Sequence, residues 1–283
     1  MKNYWWIHGE PRPGLRNSIK NLSRCIVTPE VAKHRLFIWI STDIIPDHKL
    51  HVFSRDDDYF FGVLHSRLHE IWSLKMGSWM GVGNDPSYSS SRTFETFPFP
   101  FVPGQEPMRP NASSADTVGI PTDTMYGVPT NAPLDNAPNE EISPVGTRYI
   151  ASANTADAEI FTDTADDWQK YQAISAAAKM LHEERQAWLN NAPLQRFGEG
   201  SGVGSKDRTL TNLYNALNVF RGVEKIKTVA AAGDFAPRLD ALHKALDAAV
   251  CAAYGWPAEI LADDEAILGR LLALNLARAQ PHP

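Results

Sequence analysis

The chain has 283 residues, of which 43% are hydrophobic and 21% charged, a composition typical of a globular protein that buries a core. No apolar run reaches the roughly 18 residues of a transmembrane helix, and "MKNYWWIHGEPRPG" lacks the apolar core of a signal peptide. Cys25 and Cys251 lie too far apart in sequence to suggest a disulfide framework or a zinc ribbon. We therefore expect a cytoplasmic protein with no membrane partner.

The charge is spread unevenly along the chain. The net charge of -6 argues weakly against a nucleic-acid partner. Residues 1–42, however, carry seven basic side chains and two acids, a balance near +5 (7 − 2), and the basic ones are Lys2, Arg12, Arg16, Lys20, Arg24, Lys33 and Arg35. A basic segment on an acidic body is compatible with a local surface for phosphate contacts, although ordinary surface variation is an alternative.

The first hundred residues predict an α+β module. "RPGLRNSIKNLSR" predicts a short helix with Pro13 near its first turn, and "CIVTPEV", "RLFIWIS" and "LHVFSR" predict three strands. Asp56, Asp57 and Asp58 supply the cap and the first-turn acids of a second helix. That helix has apolar positions at helical spacing and ends at Gly77; the apolar residues are Phe61, Leu64, Leu68, Ile71 and Trp72.

The rest of the chain predicts an insertion followed by helices. Residues 104–163 are rich in Pro, Asn, Ser, Thr and Ala without a period, which predicts a linker or a poorly ordered surface insertion. A helix is predicted to begin at Thr164 or Asp166. Three further helices are predicted in "TLTNLYNALNVF", "PRLDALHKALDAAVCAAYGWP" and "DDEAILGRLLALNLARA". The predicted fold class is α+β: a mixed α/β domain at 1–103, the insertion at 104–163, and a C-terminal helical bundle at 164–283.

Two motifs suggest chemistry but favour simpler interpretations. His65 and His69 lie four residues apart on a predicted helix, a spacing that can bind zinc. The sequence is not HExxH and offers no obvious third ligand. A solvated or partly packed helix face is therefore the preferred interpretation. Contact of this face with a nucleic-acid backbone is an alternative. No metal is predicted. "GEGSGVGSKD" follows a helix and lacks the end of a P-loop, which indicates a flexible connection.

The segment "GVGNDPSYSSSRTFETFPFPF" combines a polar loop with an aromatic anchor. Asn84, Asp85, Ser87 and Arg92 are side-chain types that read base edges. The phenylalanines that follow alternate with polar residues or proline and can face a core: Phe94, Phe97 and Phe99. An anchor directly after a polar loop would hold the side chains of the loop in register, which suits recognition.

Two runs of this sequence resemble the target-recognition domain of MmeI-like DNA adenine methyltransferases, which belong to restriction–modification systems. They are "PEVAKHRLFIWI" and "RDDDYFFGVLHSRLHEIWSLKMGSWMGVGNDPSYSSSRTFETFPFP". The helical tail is similar to the C-terminal region of the same proteins. The resemblance covers roughly residues 5–103 and 165–279. It implies base reading by Gly83, Asn84, Asp85, Ser87 and Arg92. It implies phosphate contact by Lys33, His34 and Arg35, and Arg12, Arg16 and Lys20 are weaker candidates for the same role.

This chain departs from the family in its catalytic motifs. The family binds S-adenosylmethionine in an upstream domain and flips adenine into an [ND]PP[YF] motif. Here "NDPS" at 84–87 lacks the second proline and the aromatic residue. We therefore expect no catalytic residue and no cofactor in this chain. The chain would be the specificity part of an adenine-N6 methyltransferase, either as a fragment or as a separate subunit. Its expected partners are double-stranded DNA and a catalytic domain.

Two alternatives of another class stay open. One is a protein–protein adaptor that uses "NYWWIHG" and the helical tail as docking surfaces. The other is a metal-dependent hydrolase that uses His65 and His69.

Overall fold

The computed structural model describes residues 13–80, 85–109, 165–190 and 207–279, and the backbone of residues 149–150. The first helix, α1 (Pro13–Ile19), is followed by three strands, β1 (Arg24–Pro29), β2 (Ile38–Ser41) and β3 (Leu50–Phe53). The sheet has the order β2-β1-β3-β6, in which β6 (Tyr149–Ile150) pairs in parallel with β3 and the other pairs are antiparallel. The predicted helix and three strands are confirmed.

The predicted second helix is two helices, α2 (Asp58–His65) and α3 (Arg67–Met76). Asp57 caps α2 by accepting a hydrogen bond from the backbone N–H of Phe60, as the acidic run predicts. Ser66 separates the helices, which the sequence analysis missed. Its backbone is extended, and its side chain caps α3 by accepting from the N–H of His69. Serine makes this break because its hydroxyl replaces a helical partner.

The predicted polar loop contains regular structure, which corrects its interpretation. A short strand, β4 (Ser78–Met80), follows α3 at Gly77 and pairs antiparallel with β5 (Asp85–Ser87). A π-helical turn follows at Ser90–Phe94. The anchor is confirmed, because the phenylalanines at its centre are buried; they are Phe94, Phe97, Phe99 and Phe101.

The helices of the C-terminal part are α4 (Ala165–Asn190), α5 (Leu210–Phe220), α6 (Ala230–Ala253) and α7 (Asp264–Ala279), with a 3-10 helix at Ala258–Ala262 before α7. The third of them begins earlier than the predicted segment and contains Pro237, since the alanines before the proline have high helix propensity. Most of the predicted glycine-rich connection and most of the predicted insertion lie outside the described residues. None of the described helices is long and apolar enough to cross a bilayer.

One hydrophobic core joins the N-terminal module to the C-terminal helices. Gly62 of α2 lies where α4 and α6 cross it: a Cβ at this position would lie 2.8 Å from Cβ of Ala178 and 3.2 Å from Cδ1 of Leu246. The helical spacing of the apolar residues in α4 predicts one buried stripe, and this stripe lies in the core; its residues are Ile174, Ala178, Leu181 and Trp188. The α+β fold class is confirmed, and the three domain boundaries remain predictions.

Candidate functional site

The strands β4 and β5 form a two-stranded ribbon beside the main sheet. Ser78 lies opposite Ser87, Trp79 opposite Pro86, and Met80 opposite Asp85. The hydroxyls of Ser78 and Ser87 are 2.7 Å apart and hydrogen-bonded. Gly83 and Asn84, two of the predicted base readers, lie between β4 and β5 in sequence and outside the described residues.

Gly77 allows β4 to begin directly after α3 at a point where the backbone lies close to β5. A Cβ at this position would lie 2.5 Å from the carbonyl oxygen of Ser87 and 2.7 Å from that of Ser73. Both contacts are with backbone, so no side chain could rotate to relieve them. Glycine here therefore ends the helix, as predicted, and also fixes the place where the ribbon begins.

Arg35 fastens the ribbon to the sheet. Its guanidinium donates to the carbonyl oxygen of Pro29 at the end of β1, to the hydroxyl of Thr28, and to the carbonyl oxygen of Pro86 in β5 at 2.8 Å. The residue is 5% exposed, and burial lowers the pKa of its guanidinium to about 10. This position departs from the predicted phosphate contact, because the donors are directed at backbone and the charge faces the interior.

A buried histidine supports the ribbon from behind. Nδ1 of His69 donates to the carbonyl oxygen of Leu64 at 2.8 Å, and its Nε2 accepts from the hydroxyl of Tyr88 at 3.1 Å. The backbone N–H of Tyr88 donates to Glu30, and its carbonyl contacts the ring of His51. Burial lowers the pKa of His69 to about 3, so the ring is neutral. Of the predicted solvated or partly packed face, the structure has the packed alternative for His69, and the ring is more completely buried than predicted.

His65 belongs to a second buried polar network. Its Nε2 accepts from Nη1 of Arg185 at 2.5 Å, while Nη2 of Arg185 donates to the carbonyl oxygen of Phe37 at 3.0 Å. The hydroxyl of Tyr214 lies within hydrogen-bonding distance of His65 and His243. Burial lowers the pKa of His65 well below its ordinary value. The network connects the sheet with α4, α5 and α6, and sequence spacing gave no signal for it. Within the described residues, no three His, Cys, Asp or Glu side chains form a group that could hold a metal ion.

The remaining predicted base readers have different environments. Asp85 is half-buried at the edge of a cleft, and Arg92 is exposed on the π-helical turn. Ser87 is 6% exposed and its hydroxyl is bonded to Ser78. Such a side chain offers little surface to a base edge, so the geometry favours Asp85 and Arg92.

Two predicted phosphate contacts are tied to the helical part. Nζ of Lys33 donates to Oδ1 of Asn215 at 2.8 Å and forms an ion pair with Glu224 at 2.9 Å. Nε2 of His34 contacts the same Asn215 oxygen at 2.8 Å. Burial is the largest cause that lowers the pKa of His34, so the ring carries little charge at neutral pH. Of the weaker candidates, Arg16 lies exposed on α1 and Lys20 directly after it, while Arg12 lies outside the described residues.

A cleft of about 440 Å³ separates the ribbon from α5 and α6. Its walls carry both signs of charge and include Lys33, Arg67, Glu70, Trp79, Arg221 and Asp247. On one wall the carboxylate of Asp247 accepts from the backbone N–H of Arg67, 2.7 Å away, and so caps α3 from α6. Burial raises the pKa of Asp247 to about 7.

We expect Asp247→Asn to change how stability depends on pH. The folded pKa of Asp247 lies above its ordinary value of 3.8, so the wild type loses stability as pH rises from about 4 to about 7, by up to about 1.4 kcal/mol per pH unit. Asparagine stays neutral and keeps an acceptor for Arg67. Urea unfolding at pH 5 and pH 8 should therefore show a smaller loss for the variant. Asp234→Asn, exposed on the same helix, is the control, and parallel losses in all three proteins would contradict the assignment.

The ribbon, its phenylalanine anchor and the strands β1, β2 and β3 lie in one stretch of chain, and this stretch is similar in sequence to a known family of domains. Residues 16–101 match the family described as "MmeI, target recognition domain". The resemblance seen in the sequence is thereby confirmed for these residues. A search of curated proteins finds no match.

A solved structure is similar over most of the chain. It is described as the structure of the Type IIL restriction-modification enzyme MmeI in complex with DNA, and it shares 14% sequence identity with a TM-score of 0.41. The match covers 91% of this chain and 21% of the solved chain. The chain thus spans about a fifth of the length of that protein.

Proposed function

We propose that this chain recognises a DNA sequence on behalf of a restriction–modification enzyme, with the β4–β5 ribbon as its reading element. The observation that carries the proposal is the ribbon itself, which lies within the segment that matches a target recognition domain. The major groove of B-DNA is about 12 Å wide and admits a two-stranded ribbon. Arg35 and the backbone of Tyr88 tie β5 and the residue after it to the main sheet, which fixes the orientation of the ribbon.

Base reading would come from the end of the ribbon and from the turn behind it. The carboxylate of Asp85 is an acceptor suited to the amino group of cytosine, and the guanidinium of Arg92 is suited to guanine. Gly83 and Asn84, which lie between β4 and β5 in sequence, stay in the proposal. Ser87 and Arg35 are excluded from the proposed DNA contacts, because both side chains are buried and form hydrogen bonds within the protein.

Phosphate contacts would position the duplex without reading sequence. Lys33, with a side chain 42% exposed, is the leading candidate in the described residues. Its ion pair with Glu224 is a surface pair worth about 1 kcal/mol or less, so a phosphate can replace the carboxylate at little cost. His34 lies beside Lys33 on the same Asn215 oxygen, and Arg16 and Lys20 stay in the proposal as exposed cations of the α1 region.

Methyl transfer to adenine N6 would be the task of a separate catalytic domain that binds S-adenosylmethionine and flips the target base. The described residues do not fit this cofactor. Their glycines with positive φ are Gly104, Gly222 and Gly255, and none of them follows a strand as a nucleotide-binding turn requires. We therefore assign no catalytic step to this chain. A cytoplasmic location remains a prediction.

The test is selection of bound duplexes from a randomised pool by the full chain at two salt concentrations. We expect one short motif containing an adenine to be enriched, with binding that weakens as salt rises. Binding that depends on salt without enrichment would contradict sequence reading.

Arg92→Ala should weaken binding to the selected site by about 1–3 kcal/mol if the guanidinium contacts guanine in the groove. The loss should disappear on a duplex in which that one base pair is changed. Arg238→Ala, on α6 with a side chain 51% exposed, is the control and should bind like the wild type. An equal loss on every sequence would assign Arg92 to a phosphate.

A protein–protein adaptor is the second candidate. The exposed apolar residues Leu272 and Leu276 lie four apart on α7, and such a pair suits contact with another protein domain. Absence of DNA binding at either salt concentration in the selection would favour this candidate.

A further inference from the structure

The ribbon presents apolar side chains that the base-reading candidates do not explain. Trp79 is 53% exposed and Met80 is 50% exposed, and Val31, which bridges to Ser87, is 38% exposed. The same domain buries its phenylalanines at 94, 97, 99 and 101 to within 7% exposure. Exposed apolar surface is unfavourable in free energy because water contacts it, and a binding partner that covers the surface removes this unfavourable contribution.

The direction of the side chains distinguishes Met80 from Trp79. Side chains alternate along a strand, and residues directly opposite each other share a face. Met80 therefore shares a face with Asp85, its partner in the pairing, and Trp79 shares the opposite face with the buried Pro86. Trp79, Pro86 and Asp85 all contribute atoms to the wall of the cleft. Met80 and Asp85 thus form the part of this face next to the end of the ribbon.

The charges around the ribbon indicate the partner. Lys75, on the last turn of α3, and Arg92 are both exposed, and neither forms an ion pair with another residue in the described part of the chain. An exposed apolar side chain on a ribbon whose neighbouring segments carry cations is complementary to a DNA groove, where phosphates border the base edges. The apolar group that the major groove displays is the C5-methyl of thymine.

We propose that Met80 is a specificity residue that contacts the C5-methyl group of a thymine next to the base pair read by Asp85. This inference rests on the proposed function, because it needs the ribbon in the major groove. Opposite side chains on a ribbon lie about 5 Å apart at Cβ, and base pairs are stacked about 3.4 Å apart. The two side chains can therefore contact neighbouring pairs. The thioether of methionine is flexible and suits an apolar contact of this size.

The experiment replaces single thymines by uracil in the duplex that the full chain selects from the randomised pool. Uracil lacks the methyl group but keeps the hydrogen-bonding edge. At one position the replacement should raise the Kd of the wild type about fourfold, which is the effect expected for one buried methyl group. Met80→Ala should bind the thymine duplex about as weakly as the wild type binds the uracil duplex, and should not distinguish the two. Met180→Ala, on α4 and 51% exposed, should behave like the wild type.

The outcomes separate this inference from the proposed function. If no motif is enriched, the proposed function fails, and the inference fails with it. If a motif is enriched but no uracil replacement changes the Kd of the wild type, the inference alone is wrong. It is also wrong if the selected site lacks thymine, or if Met80→Ala remains sensitive to the same replacement.

Discussion

Replacing Arg35 with methionine is expected to destabilise the protein by about 2–4 kcal/mol. The substitution removes the hydrogen bonds to Thr28, Pro29 and Pro86, and a hydrogen bond to a charged group contributes about 1.5–3 kcal/mol. Relief from burying a cation offsets part of the loss. Urea unfolding at pH 7 measures the effect. Arg92→Met, on an exposed side chain, should change the free energy of unfolding by less than about 0.5 kcal/mol.

Arg35→Lys distinguishes a clamp from a phosphate contact. Lysine keeps the charge but has one nitrogen, so it cannot bridge β1 and β5 as the two guanidinium nitrogens do. If Arg35 is a clamp, Arg35→Lys should lose stability and should relax the choice of sequence in the pool selection, while the salt dependence of binding stays unchanged. A stable, fully selective Arg35→Lys protein would return Arg35 to the phosphate contacts.

Replacing Gly62 with alanine is expected to destabilise the protein by about 2 kcal/mol, although alanine favours helix over glycine by about 1 kcal/mol. The new methyl carbon would lie 2.8 Å from Cβ of Ala178 and 3.0 Å from Cγ2 of Ile174. Helices α2 and α4 would have to separate to relieve these contacts, and overpacking of a core costs about 1–3 kcal/mol. Thermal and urea unfolding measure the loss.

Gly269→Ala is the matched control for this substitution. Gly269 also lies inside a helix, α7, but a Cβ there meets nothing within 4 Å. The same change should stabilise the protein by up to about 1 kcal/mol. The two variants should therefore differ in sign. A stabilising effect at Gly62 would mean that α2 and α4 do not approach each other as closely as the structure has them.

Sequence reasoning succeeded where a local pattern determines the structure. The run Asp56 to Asp58 predicts the cap of α2, because carboxylates accept from the first helical N–H groups, and Asp57 is that cap. The burial of Phe94, Phe97 and Phe99 is predicted because they alternate with polar residues or proline. The stripe of α4 follows from helical spacing alone. In each case the interaction partner is close in sequence or is simply the core.

The parts that sequence reasoning missed depend on partners far away in the chain. The sequence predicts that Arg35 is a surface cation, because it does not show that Pro86 of β5 lies within hydrogen-bonding distance. Three-residue strands such as β4 and β5 are too short to show an alternating pattern. His65 is two helical turns from the start of α2, but its partner Arg185 is 120 positions away, and no local signal marks such a contact.

The junction at Gly62 also determines when the protein can finish folding during synthesis. Leu246, which closes this junction, is made 184 residues (246 − 62) after Gly62. At about 5–20 residues per second, the apolar side of α2 waits roughly 10–40 s on the ribosome before its cover exists. During that interval the apolar side of α2 is exposed to solvent, and a chain that ended before α6 would leave this side of α2 without the cover that Leu246 provides.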